Sequence, residues 1–578
     1  MNNFLPVLIL LPLLGGVGVL LARRGVINEL LAERLVAVIG VLTLILSIVL
    51  VARLAQLPLP SGLSTAGDTA IAGTADSLPV GAAAGESVAT ITPRIEYAPP
   101  WLRIRMPATA TLTSDGWQLR LGLDGIGAVM VLLTSIVTCC VLIIARSTVL
   151  SRRGDFGAWL LVASGCMLLV FMSMDLLLFY IGFELVLIPL FVLIAAWGDR
   201  DANGAAKRFV LYTLAGSIPM ILALLGLSAL YSHTADWQIG FTELSRRAAE
   251  GATDPDQAVA QGWIFWLLVL GLGIKTAVLP LHTWLPTTYG ASHPTCSAFL
   301  AAVVLKLGLF GFVRLMLPLV PAATAVYGSA VLGTLGAIAI VYGALAALAQ
   351  RDLRLVLAYS SLSHVGFITL GLFALNAEGI AGATLQMFNH GLTTAAMFLL
   401  MACLIARRGS TRWDEGSRGL ADRFPRLAFF IVFFVVAGAG MPGLNNFVGE
   451  YLALTAMISV NPVLTAIGTL GILLGAWYAL RVTQNLLFGR YEEGKRNDAA
   501  GALQPNDLTF GQKAVFIPLA LLSLAIGVLP LRAIDLFRGE ADRIATVSDV
   551  ANRALQDPLR VGQNAPTDLP VQQVALPR

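Results

Sequence analysis

The chain has 578 residues, of which 57% are hydrophobic and 12% charged, and its mean hydropathy is +0.80. Soluble domains carry about 25% charged residues, so a large water-soluble core is excluded, and the net charge of +4, spread over many loops, gives no reason to expect nucleic acid as a partner. Five cysteines (Cys139, Cys140, Cys166, Cys296, Cys403) lie in or beside apolar runs without metal-site spacing, and no P-loop occurs, so this chain is expected to hold no metal, cluster or other cofactor.

Apolar runs of ~17–25 residues mark membrane-spanning helices. Fourteen are predicted, at 3–22, 35–53, 125–148, 157–173, 176–196, 209–231, 262–281, 296–316, 326–348, 355–375, 382–406, 427–459, 463–482 and 514–533. The first lacks a basic start and a small-residue cleavage site, so it reads as a retained span, not a signal peptide. The junction at Ser173–Asp175 is so short that spans 4 and 5 must form a tight hairpin. Four regions follow: N-terminal spans (1–54), a polar insertion rich in Ser, Ala, Gly, Thr and Pro (55–116), a core (117–488), and a loop, last span and short polar tail (489–578). The insertion reads as a meandering segment or as a docking surface for a neighbouring subunit.

Basic residues cluster after odd-numbered spans: Arg23 and Arg24; Arg152 and Arg153; Arg200, Lys207 and Arg208; Arg351 and Arg354; Arg407, Arg408, Arg412, Arg418, Arg423 and Arg426; Arg490, Lys495 and Arg496. The positive-inside rule then places those loops in the cytoplasm and both termini on the other side, as expected for a bacterial inner-membrane protein.

Ionisable groups inside spans are functional hypotheses by default. Glu184 lies mid-span in span 5, Lys275 in span 7 and Lys306 in span 8. Burial disfavours a charged lysine and a neighbouring carboxylate restores it, so moving that carboxylate loads or releases a proton. The expected partner of Glu184 is Lys275 or a basic residue on a neighbouring helix; the competing reading is a static ion pair that fixes helix packing. His364 and His390 lie on spans 10 and 11, where histidine suits proton relay near neutral pH and otherwise serves as a packing residue. His282 sits between Pro280 and Pro286, at a helix break or as a relay. Asp124 and Asp175 sit at helix starts and read as caps.

Span 12 repeats the logic of span 7. Gly440 to Asn446 interrupt it and Glu450 follows the break. Two interrupted helices five positions apart divide the core into spans 4–8 and 9–13. Five is odd, so the second unit must be inverted, and such repeats place an ion path near the midplane.

The motifs LLLFYIGFELVLIPLFVLIAAWG, KTAVLPLHTWLP, AYSSLSHVGF, NHGLTTAAMFLL and MPGLNNFVGEY, in this order between about Leu121 and Phe488, resemble the antiporter-like subunits of proton-translocating NADH–quinone oxidoreductase (complex I), chain M (chain 4) above all. Mrp-type cation/proton antiporter and membrane-bound hydrogenase subunits share much of the pattern. Glu450, where L- and N-like chains tend to carry Lys, favours the M type.

The resemblance implies an all-α polytopic fold of about fourteen helices with inverted repeats. It implies a proton path through Glu184, Lys275, Lys306 and Glu450, with His364, His390 and His282 between them. It further implies L-like and N-like membrane neighbours, and partner subunits that carry FMN and iron–sulfur clusters and bind quinone. The alternatives are an antiporter or hydrogenase subunit, or a membrane scaffold that no longer pumps. One stretch departs from the family pattern: where D-A-H-x-E-A-P is usual after HTWLP, this chain reads Thr287 to Pro294 without acids, which puts the loop 7–8 contacts in question.

Overall fold

A computed structural model describes residues 3–23, 26–58, 91–99, 103–104, 117–199, 201–232, 239–251, 255–413, 419–489 and 506–556. Most of the 55–116 insertion, the basic residues Arg24, Arg200, Arg418, Arg490, Lys495 and Arg496, and the chain after 556 lie outside the described residues.

Among the described residues, thirteen helices are long and apolar enough to cross a membrane, from Phe4–Ala22 to Phe510–Val528. The remaining crossing, span 12, is made of two shorter helices, Pro425–Gly438 and Asn445–Ile458. Span 3 (Gly125–Thr148) has the predicted bounds, and span 7 breaks after Thr276 and resumes as Trp284–Ala291. Ser173 and Asp175 form the tight junction between spans 4 and 5, bridging to Leu121 and Gly240.

Burial sorts the helices. The apolar window of span 8 (Pro294–Leu319) is 100% buried and that of span 11 (Ala377–Arg408) 94%, against 28% for span 2 (Glu29–Leu54). The helices that carry Lys306 and His390 therefore stand at the centre of the bundle, while span 2 presents apolar side chains outward.

Loop contacts fall on two faces, as the alternating topology requires. On the basic face Arg354 pairs with Asp199 at 2.5 Å, and Arg407 donates to the carbonyls of Asn506 and Asp507 and to Gln512. On the other face Arg314 pairs with Asp124 and Arg94 with Glu540.

Three features go beyond the sequence reading. The root of the insertion is a small β element: β1 (Ile95–Tyr97) pairs antiparallel with β4 (Leu121–Leu123), and β2 (Arg103–Ile104) with β3 (Trp117–Gln118). A short surface helix, Phe241–Glu250, precedes span 7. The tail after Ala533, expected to be only polar, forms the amphipathic helix Arg538–Gln556. Its apolar stripe, including Ala541, Ile544 and Ala551, is buried against the bundle.

Both breaks are held by explicit partners for their freed backbone groups, as lipid requires. In span 7, Trp284 Nε1 donates to the Ile274 carbonyl (2.8 Å) and Val278 N–H to Gly273 O (2.9 Å). In span 12, Gly440 and Gly443 adopt φ of +72° and +89°, which glycine accommodates without a Cβ penalty. Gly438, Gly440 and Gly443 have the spacing of a dinucleotide fingerprint, but here they break a membrane helix and do not follow a strand. Across this break Asn389 Nδ2 donates to Asn445 O (2.7 Å) and Asn445 Nδ2 to Asn389 O (3.1 Å).

Spans 9 (Pro321–Ala349) and 10 (Leu353–Leu372) pack backbone to backbone at Gly343. A Cβ there would lie 2.6 Å from Ser363 N and 2.8 Å from Tyr359 O. Backbone cannot yield as a flexible side chain does, so Gly343→Leu is expected to cost on the order of 3 kcal/mol. It should deplete the chain from membranes, whereas Gly18→Leu, with open space around it, should not. Immunoblotting of membrane fractions checks both.

Candidate functional site

Lys306 is completely buried on span 8, between two π-helical turns, Leu300–Val304 and Phe312–Met316. Its Nζ donates to the Ala301 carbonyl at 2.8 Å and lies 2.6 Å from His390 Nδ1. The His390 and His364 rings are 5.1 Å apart between centroids. His364 Nδ1 lies 2.8 Å from Glu450 Oε1, to which Gln386 Nε2 also donates at 3.2 Å. Four predicted residues from spans 8, 10, 11 and 12 thus form one file: Lys306, His390, His364, Glu450.

A lysine and a histidine at that distance repel by several kcal/mol if both are charged, even at an effective dielectric of ~20. The contact therefore favours at most one charge on the pair. Glu450 closes the far end of the file with a carboxylate. Gly308 is what lets span 8 approach span 7 beside this file, since a Cβ there would lie 2.1 Å from Thr276 Oγ1.

The other predicted pair is arranged differently. Lys275 is buried, but no ion pair joins it to Glu184 among the described residues. Its Nζ donates to the carbonyl of Phe183 and lies 3.5 Å from the centre of the Phe183 ring. Glu184 is half-buried and accepts from Ser217 Oγ at 2.5 Å. The expected direct pairing is therefore corrected: Lys275 engages the residue before Glu184, and the two charges act on each other only through space. The reason is that span 7 stops at Thr276, which leaves the lysine side chain next to the backbone of span 5.

His282 stands apart from the file. It lies in the span 7 break, edge-on to Tyr342 at 5.2 Å, with its Nδ1 buried and unpartnered. The altered loop 7–8 keeps its contacts through main chain: Asp199 N–H donates to Ala291 O (2.8 Å) and Arg354 to Gly290 O (3.0 Å).

Sequence reasoning missed a second buried cluster. Asp124 does cap span 3, accepting from Gly127 N–H at 2.8 Å, but it also pairs with Arg314 at 2.6 Å. Alongside, Glu540 accepts from Arg94 Nε and Nη2, each at 2.9 Å, and from the Gly125 N–H at 3.1 Å. The available signal was Arg314 itself, a charge near the end of an apolar run.

Helices broken in matching places, with titratable side chains buried between them, are the anatomy of a membrane ion translocator. The family model for the NADH:quinone oxidoreductase/Mrp antiporter transmembrane region matches residues 173–479. NADH-ubiquinone oxidoreductase chain 4 of Chondrus crispus is 34% identical over 415 residues, covering 71% of this chain and 80% of that one. NADH-quinone oxidoreductase subunit M of Rhodobacter capsulatus is 34% identical over 430 residues, covering 73% and 81%. Among solved structures, respiratory complex I from Thermus thermophilus with bound NADH contains a chain that superposes with a TM-score of 0.74 at 27% identity, over 94% of this chain and 99% of that one. The Mrp complex from a Dietzia species superposes with a TM-score of 0.73 at 17% identity, over 96% and 99%, which is a likeness of fold. The chain belongs to the NADH:quinone oxidoreductase/Mrp antiporter family.

Two predictions follow from this geometry. Removing one partner of a buried ion pair leaves the other uncompensated, at about 3–5 kcal/mol. Asp124→Asn should therefore destabilise the chain more than the double variant Asp124→Asn with Arg314→Gln, as read from thermal unfolding of the purified protein. His293, the N-cap of the helix Pro294–Phe299, has its imidazole pushed down by burial to about 4. Its folded value lies below the ordinary ~6.5, so its contribution to stability is intact above about pH 6.5 and falls as pH drops toward 4. Thermal midpoints measured from pH 7.5 to 5 should decline less in His293→Asn, which can still cap.

Proposed function

We propose that this chain is an antiporter-like subunit of a proton-translocating NADH–quinone oxidoreductase and that protons cross it through Lys306, His390, His364 and Glu450, with Lys275 and Glu184 as the adjoining loading pair. The observation that carries the reading is the buried file itself, with its 2.6 Å and 2.8 Å contacts at either end of a histidine pair. His282, outside the file, is assigned no step. Flavin, iron–sulfur clusters and quinone belong on this reading to partner subunits, and L-like and N-like membrane chains flank this one. Electron transfer there acts on this chain by shifting charge near Lys275, which changes the proton affinity of the next group in line. The basic face is the cytoplasmic one, in a bacterial inner membrane, with both termini opposite.

The test uses the intact complex reconstituted in vesicles. Lys306→Met and Glu450→Gln should each cut proton uptake per electron transferred by roughly tenfold or more, the scale of a positioned acid–base group, while the complex still assembles. Lys275→Met should behave likewise. Proton uptake that survives all three with assembly intact would assign the chain a scaffolding role, and purification without flavin and iron–sulfur subunits would place it in an antiporter complex instead.

A further inference from the structure

A cavity with about 40 Å³ of space for water opens beside His364. A water needs ~10–15 Å³ on this measure, so the cavity has room for about three. Apart from His364 and Asn446 at its inner end, the lining residues lie between the span 12 break and the basic face. Leu353, Val356, Leu357 and Ser360 come from the first turns of span 10, Thr393, Thr394 and Met397 from the basic half of span 11, and Tyr478, Ala479 and Val482 from the basic half of span 13 (Pro462–Leu487). The cavity thus points from the file toward one face only.

At its inner end stands Asn446, the second residue of the helix that follows the break. It is completely buried, and neither its Oδ1 nor its Nδ2 has a hydrogen-bond partner in the protein. Its neighbour Asn445 is the opposite case, with both side-chain atoms engaged by Asn389, Thr393 and Ser523. A buried amide left bare would cost on the order of 1–3 kcal/mol, and buried polar groups in native proteins find water when no protein partner exists. The cavity is where that water fits. Hydroxyls of Ser360, Thr393, Thr394 and Tyr478 are present along the wall.

We infer that Asn446 is a positioning residue that anchors a short file of water between His364 and the basic face, and that this file is the route by which the Lys306–Glu450 chain exchanges protons with that face. The inference rests on the proton-translocating reading above and adds to it the side and the residue through which water reaches the chain. An amide suits the task because it both donates to and accepts from water without holding a proton of its own. Glu450 occupies His364 Nδ1, which leaves Nε2 for the water file. In the transfer, a hydronium at the inner end gives one proton to Nε2 while the Nδ1 proton passes to the Glu450 carboxylate. The imidazole ends neutral in its other tautomer, the carboxylate ends protonated, and water is left behind. The reverse sequence releases a proton to the same face.

The experiment measures proton uptake per electron transferred in the reconstituted complex. Asn446→Leu, of similar size but unable to hold water, should lower it by roughly tenfold. Asn446→Ser, which restores a water-binding hydroxyl, should keep more than half. Ala479→Leu, which fills the cavity from another wall and leaves Asn446 in place, should mimic Asn446→Leu and keeps the test informative if that variant fails to assemble. Normal uptake in Ala479→Leu, or in an assembled Asn446→Leu, overturns the inference, as does equal damage from Ser and Leu at 446, which would mark a packing role. Lys306→Met run in parallel separates the two readings. If it pumps normally the chain of titratable groups is wrong, whereas if it fails while the cavity-filling variants pump, only the water route is wrong.

Discussion

A lysine Nζ 2.6 Å from an imidazole, both fully buried in a bilayer-spanning bundle, is the arrangement around which the rest is built. Hydrocarbon cannot solvate either group, so each must be supplied with partners from protein. Span 8 supplies one by widening into π-helical turns, and the carbonyl of Ala301 in the first of them receives the lysine. Span 12 supplies another by breaking, which brings Glu450 to His364. The central position of spans 8 and 11 follows, because only helices wrapped on all sides by others can carry such groups.

The two halves of the core answer the same problem unequally. In the second half the charges touch through histidines and form a continuous file. In the first half Lys275 rests on a carbonyl and an aromatic face, while Glu184 holds a serine hydroxyl. A carbonyl and a ring steady a cation without neutralising it, so Lys275 stays responsive to a charge that approaches from outside the pair. The file, with its own carboxylate, is the more self-contained of the two.

Much of this was legible in the chain. A charge within twenty apolar residues stands out whatever the fold, which is why Glu184, Lys275, Lys306 and Glu450 could be named, and the glycines and prolines at the two breaks announced themselves by chemistry. Pairing was not legible. Whether Lys275 meets Glu184 or the carbonyl before it depends on where span 7 stops, to within a single turn, and apolar runs do not define ends that closely. Neutral polar groups were invisible for another reason. Asn389, Asn445 and Asn446 carry no charge, and amides at a helix break are ordinary caps unless their partners are known. Arg314 was overlooked because arginines near span ends usually reach the interface, whereas here the third span begins with an aspartate that keeps it inside.

The cluster around Glu540 bears on the order in which the molecule can be completed. Gly125 N–H at the start of the core and the Arg94 guanidinium at the root of the insertion find their carboxylate 415 and 446 residues later. During synthesis Asp124 can cap the third span at once, but the carboxylate that receives the Gly125 N–H is made only after every later span. The helix Arg538–Gln556 therefore acts as a clasp: it ties the root of the insertion and the start of the third span to the end of the bundle, and a chain that stops short of it leaves Arg94 and the Gly125 N–H without their carboxylate.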